Sequence, residues 1–154
     1  MRITKLLPAV LLGAMALGGC LPAGRMDIPK DFVHVEESQR PPYEVRGISA
    51  DGVVVGLRTR ENLKKGTLAF WREAVGSELV ARGYQLQKEQ DITSAGGHEG
   101  TLMTFTTRSR GATFRYLLAM YVTDSRVLLA EAGGKDDVVG KHAEAIVESL
   151  RSVR

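Results

Sequence analysis

The segment TFRYLLAMYV, residues 113–122, limits the architectures open to this chain more than any other stretch. Read as a strand, one side carries Phe114, Tyr116, Leu118, Met120 and Val122, and the other Arg115, Leu117, Ala119 and Tyr121. A strand with one wet face alternates apolar and polar residues, so apolar residues on both sides demand cover on both sides. Two amphipathic segments can supply it. In residues 67–82, Leu68, Trp71, Val75 and Leu79 form a stripe at helical spacing, with Thr67 as cap and Gly83 suited to the position after the last turn. In residues 137–152 the stripe is Val139, Ala143, Ile146, Val147 and Leu150, with Asp136 as the expected cap. Gly76 interrupts the first helix and is expected to permit close packing on the sheet.

The remaining pattern is of strands and turns. DFVHVEES (31–38) reads as a first strand, broken by QRPP. YEVRGIS and VVVGLRTR flank Ala50-Asp51-Gly52, a hairpin turn. YQLQKEQDIT, TLMTFTTRS, TFRYLLAMYV and RVLLAEA follow as a meander, with turns at SAGGHEG, Arg110-Gly111 and Thr123-Asp124-Ser125, and Gly133-Gly134 ends the strands. The expected fold is α+β: an antiparallel sheet of six to seven strands flanked by two helices, one on each face, in three layers. The alternative places both helices on one face of a partly open sheet.

The N-terminus answers where the domain is held. Arg2 and Lys5 precede an apolar run from Leu6 to Leu17, then Gly18-Gly19 and the single cysteine of the chain, Cys20. A basic start, a short apolar core and small residues before a cut mark a secretory signal. The run falls short of the roughly 20 residues of a stable membrane-spanning helix. Leu17-Gly18-Gly19-Cys20 resembles the bacterial lipobox, which implies cleavage between Gly19 and Cys20 and lipidation of the Cys20 thiol. Leu21, in place of an aspartate, implies the outer membrane, periplasmic face. The chain then divides into a removed signal (1–19), a lipidated cysteine and short tether (20–30) and one domain (31–154).

Removing 19 residues from 154 leaves 135, enough for one core. The signal carries two basic residues and no acid, so the net charge falls from +3 to +1. A balanced surface makes no case for nucleic acid. With Cys20 lipidated, no thiol remains for disulfides, metal or catalysis.

The order of elements, with GHEGTLMTF, YLLAMYVTDSRVLLAEAGG and the closing IVESLRSV, resembles the PsbP-like fold. That fold is shared by the photosystem II subunit PsbP, a Ran-binding nuclear-transport factor and envelope lipoproteins such as DcrB. The resemblance covers most of residues 31–153 and implies a binding or assembly factor, with no catalytic residues to carry over.

No reactive constellation stands out. His34, His98 and His142 lack a second ligand at metal spacing, and His98-Glu99 reads as a polar turn. Ser49 lies in no Gly-x-Ser-x-Gly elbow. GGKDD lacks the Gly-Lys-Ser/Thr of a phosphate loop. GLRTRENLKKG (56–66) places Arg58 and Arg60 on one strand face, followed by Glu61, Lys64 and Lys65. It reads either as a grip for an acidic partner, lipid head group or carbohydrate phosphate, or as an edge-strand face whose charges block aggregation. Trp71 reads as core anchor or as part of that patch. The expectation is a lipid-anchored, non-enzymatic envelope module without cofactor or metal, bound to the membrane through its lipid and to another envelope protein. The alternative is a small-ligand-binding protein with a pocket between the sheet and first helix near Arg58, Arg60 and Trp71.

Overall fold

A computed structural model describes residues 24–35 and 43–154. The expected cleavage and lipidation positions, Gly19 and Cys20, lie outside the described residues, as does the end of the expected first strand.

Seven strands form one sheet: β1 (Phe32–His34), β2 (Val45–Ser49), β3 (Val54–Glu61), β4 (Gln85–Thr93), β5 (Glu99–Ser109), β6 (Ala112–Val122) and β7 (Arg126–Lys135). Their order is β1-β2-β3-β7-β6-β5-β4, and every neighbouring pair is antiparallel. After β3 the chain crosses one face as α1 (Leu68–Ala81), reaches the far edge at β4 and returns as a meander. Helices α2 (Asp136–Lys141) and α3 (Ala143–Arg151) cover the other face.

β6 explains this layering. Leu117, Ala119 and Tyr121 join Val55, Leu57, Ala130, Ile146 and Leu150 in the larger core, beneath α2 and α3. Leu118 and Met120 join Met103, Phe105 and Val127 in the smaller core, with Leu68, Trp71, Val75 and Leu79 of α1 packed on it. Helices therefore lie on opposite faces, as the two-sided strand requires.

Local chemistry sets the boundaries. Thr67 Oγ1 accepts from Phe70 N at 3.2 Å and caps α1. At its other end Gly83 has φ +90°, and the amides of Gly83 and Tyr84 bond back to Val80 and Leu79, the Schellman closure that a glycine in this conformation allows. The Arg110-Gly111 turn has positive φ at both residues, the twist that tight hairpins favour.

Three expectations are corrected. The C-terminal helix is two helices, broken at His142 two residues after Gly140, a poor helix former; the His142 ring bonds Asp51 at 3.1 Å and meets Phe32 edge-on. Asp136 is not a cap; it opens α2 and accepts from Arg115 Nε at 2.7 Å. Gly133-Gly134 does not end β7, which continues to Lys135 paired with β6; Gly134 fits there because a side chain would press on Val53 and Val139, each about 3.2 Å away.

The described part of the expected tether is also docked. Arg25 and Arg154 exchange backbone hydrogen bonds of 3.0 and 3.1 Å, Ser149 Oγ donates to Asp27 O, and Met26 is buried. Residues 24–30 thus form a strap along α3. The Arg154 guanidinium holds the Asp27 carboxyl below its usual range.

Candidate functional site

On the α1 side of the sheet, α1 packs over β4, β5 and β6. Beyond it the same face carries Arg46 of β2, Gly56, Arg58 and Arg60 of β3, and Glu131 of β7. Glu131 is a lone acid in an apolar strand, with only 8% of its side chain exposed. Both of its oxygens are taken. Oε2 accepts from Arg58 Nη2 at 2.6 Å and from Tyr116 Oη at 2.7 Å, and Oε1 accepts from Tyr43 Oη. Gly56 makes room: a Cβ there would fall 2.6 Å from the Tyr43 ring. Arg46 and Arg58 approach that ring at 5.6 and 5.5 Å from its centre. The cluster ties β3, β6 and β7 to the residue that leads into β2.

Its electrostatics argue against proton transfer. Burial first, and then the bond to Glu131, push the Tyr43 hydroxyl up to about 12. The same causes raise Tyr116 further. Both phenols keep their protons at neutral pH, and each carboxylate oxygen already accepts a hydrogen bond from within the chain. The arrangement is a clamp. Tyr121, buried with its hydroxyl donated to Leu150 O, is likewise pushed up to about 12. These folded-state values lie above the ordinary 10, so the stabilisation is complete below pH 10 and is lost as pH rises toward 12. The tyrosinate absorbance contributed by Tyr43, Tyr116 and Tyr121 during an alkaline titration is expected to rise late and together with unfolding. Ionisation of these three near pH 10 in a folded chain would contradict this.

Of the expected patch, Arg58 and Arg60 share one face of β3, and Trp71 packs into the core on that same side of the sheet. Arg58 is spent on Glu131. Arg60, two residues along the same face, is exposed and forms no ion pair among the described residues. Trp71 belongs to the α1 core, its Nε1 donating to Asn62 Oδ1 at 3.0 Å. β3 is interior, flanked by β2 and β7, so its charges do not guard an edge.

A groove does lie between sheet and first helix, at the β4 side, and none of those three residues lines it. It holds about 600 Å³, with Met103 and Phe105 as floor, Gly76, Val80 and half-exposed Leu86 as walls, and the Arg72–Glu89 ion pair (3.1 Å) spanning from α1 to β4. None of the fourteen residues of α1 is fully buried. Gly76 accordingly does not mediate close packing: a Cβ there would meet nothing nearer than Met103 Sδ at 4.0 Å. Gly76→Ala is expected to raise stability by up to about 1 kcal/mol, the helix penalty of glycine. Thermal melting checks this, and a lowered midpoint would show hidden crowding.

His34 sits exposed in β1, and His98 lies in the β4–β5 turn with its amide donating to Ser94 Oγ. Among the described residues no group of three or more His, Cys, Asp or Glu is placed to hold a metal, and no helix is long and apolar enough to cross a membrane. Sequence reading missed Tyr43, Tyr116, Asn62 and Glu131. The one available signal was the acid inside RVLLAEA.

No family model matches the chain, and no curated protein matches it by sequence. Solved structures do. LpqN of Mycobacterium tuberculosis, described as involved in cell envelope biogenesis, aligns at TM-score 0.67 and 17% identity over 89% of this chain and 87% of that one. Cyanobacterial PsbP from Synechocystis aligns at TM-score 0.60 and 11% identity over 93% of this chain and 98% of that one. At such identities the likeness is one of architecture, and it agrees with the sheet order and the helix on each face: this chain has the PsbP-like fold.

Proposed function

We propose that the chain is a lipid-anchored, non-enzymatic binding module of the cell envelope, held at the periplasmic face of the outer membrane through Cys20 and engaging another envelope protein. The observation that carries the binding role is the open groove beside α1, a helix that rests on the sheet without burying any residue fully. The lipobox-like Leu17-Gly18-Gly19-Cys20 supports the anchor. The fold shared with an envelope-biogenesis protein is consistent with the setting. Glu131, with both carboxylate oxygens engaged by Arg58, Tyr43 and Tyr116, supports a structural role for that cluster.

A photo-crosslinker at Val80 is expected to give one reproducible adduct with an envelope protein in cells, absent when it is moved to Arg110 and suppressed by Gly76→Trp. Recovery of the uncrosslinked chain alone from Val80 would overturn the reading. A second reading, a small apolar ligand, is favoured by the groove volume, which falls within the range of small-molecule sites. Native mass spectrometry of the purified protein would then show an added mass that Gly76→Trp removes.

A further inference from the structure

The strap changes what the anchor does to the domain. Residues 24–30 are docked, so only three residues, Leu21 to Ala23, separate Cys20 from packed Gly24, a reach over four Cα–Cα steps of at most about 14 Å. Gly24 is fixed by its amide donating to Glu44 Oε2 at 2.7 Å and by Leu57 and Leu128 beside it. A lipid carried at Cys20 would therefore tether the domain by the end of the sheet where the strap begins.

That end is identifiable. Arg25 pairs with Arg154; Gly96 and Ala95 of the β4–β5 turn bond to Val153 O and Arg151 O; and Asn62 N, at the end of β3, bonds to Ser125 O of the β6–β7 turn. The strap start, the last residues of the chain and the turns at 62–66, 94–98 and 123–125 share one end of the sheet. The Arg110-Gly111 turn lies at the other.

The 62–66 turn has an unusual construction. Asn62, 2% exposed, donates to Gly66 O and Thr123 O and accepts from Gly66 N and Trp71 Nε1. This holds the turn rigid, with Lys65 at φ +50°. What it presents outward is Leu63, 81% exposed, beside Lys64 and Lys65, which form no ion pair among the described residues. The ring of Phe70, 57% exposed, lies against Gly66. A rigid turn built on a buried polar hub that exposes a leucine next to two cations is costly in water and favourable at an interface. There apolar tips enter the acyl boundary and ammonium groups meet lipid phosphates.

We propose that this rim, Leu63 and Phe70 with Lys64 and Lys65, is a second membrane contact. It seats the anchored domain end-on against an anionic phospholipid bilayer, with the Arg110 end pointing away. The inference rests on the anchored reading above. Glu61 and Asp124 lie at the same end, so attraction depends on the two lysines rather than on a uniformly basic surface.

Lipidated Cys20 leaves no free thiol, so Leu63→Cys and Arg110→Cys can each carry one nitroxide in the full acylated protein. In vesicles of phosphatidylethanolamine and phosphatidylglycerol, the label at 63 is expected to be relaxed more by oxygen than by a water-soluble nickel chelate. The label at 110 should show the reverse. Adding Lys64→Glu and Lys65→Glu, which disturb no internal bond of the turn's hub, should shift the label at 63 toward the aqueous value. If the label at 63 reads as the one at 110 while vesicle partitioning depends on Cys20, the rim contact is wrong and the anchor stands. If unlabelled wild type and Cys20→Ser partition alike, both fall.

Discussion

Arg58→Ala is expected to cost the fold about 3 kcal/mol, because removing one partner of a buried ion pair leaves the other charge desolvated. The lower end of that range applies here. Arg58 keeps 27% of its side chain exposed, and Tyr43 and Tyr116 continue to donate to Glu131 after the guanidinium is gone. The companion substitution decides the cause. Arg58→Met with Glu131→Leu removes both charges, and apolar replacement of a buried pair is often neutral or stabilising. Urea unfolding of the two variants should therefore show a large loss in the single and recovery of most of it in the double. A loss below about 1 kcal/mol for Arg58→Ala would make the pair an ordinary surface bridge and remove the clamp from the account.

Asn62→Ala is expected to be of similar size, roughly 3 kcal/mol, by a different route. Two carbonyls, Gly66 O and Thr123 O, lose their donor, while Gly66 N and the Trp71 indole lose their acceptor. An unsatisfied buried group costs about 1–3 kcal/mol, less where the turn can open to water. Asn62→Asp separates the contributions, since a carboxylate still accepts from Gly66 and Trp71. Trp71 is the only tryptophan, so its fluorescence reports the outcome. Emission should shift to the red in Asn62→Ala and stay near the wild-type position in Asn62→Asp. Equal shifts in both variants would mean that the indole bond is incidental.

These two residues mark where sequence reading stopped. The layering was legible because a strand apolar on both sides admits few arrangements, and the PsbP-like resemblance pointed the same way. Thr67, Gly83 and Arg110-Gly111 were legible because caps and tight turns depend on one or two adjacent residues. What failed was everything set by partners distant in the chain. Glu131 meets Arg58 from 73 residues away, and Asn62 meets Thr123 from 61 away. The strap failed for the same reason: LPAGRMDIPK has no periodicity, yet residues 24–30 dock through Arg154, Ser149 and Ser152 at the far terminus. Asp136 shows the reverse error, a good local cap drawn instead to Arg115. The first helix was placed correctly, but the groove beside it depends on how high α1 rides, and no spacing within the helix encodes that.

The strap, the rim and the groove would acquire their functional meaning from the proposed lipid attachment at Cys20. The most direct test is the mass of the N-terminal peptide of the protein recovered from bacterial membranes. The account expects the first residue to be Cys20, carrying a thioether-linked diacylglyceryl group. A peptide that still begins upstream, or a Cys20 thiol free to react with a maleimide, would contradict it.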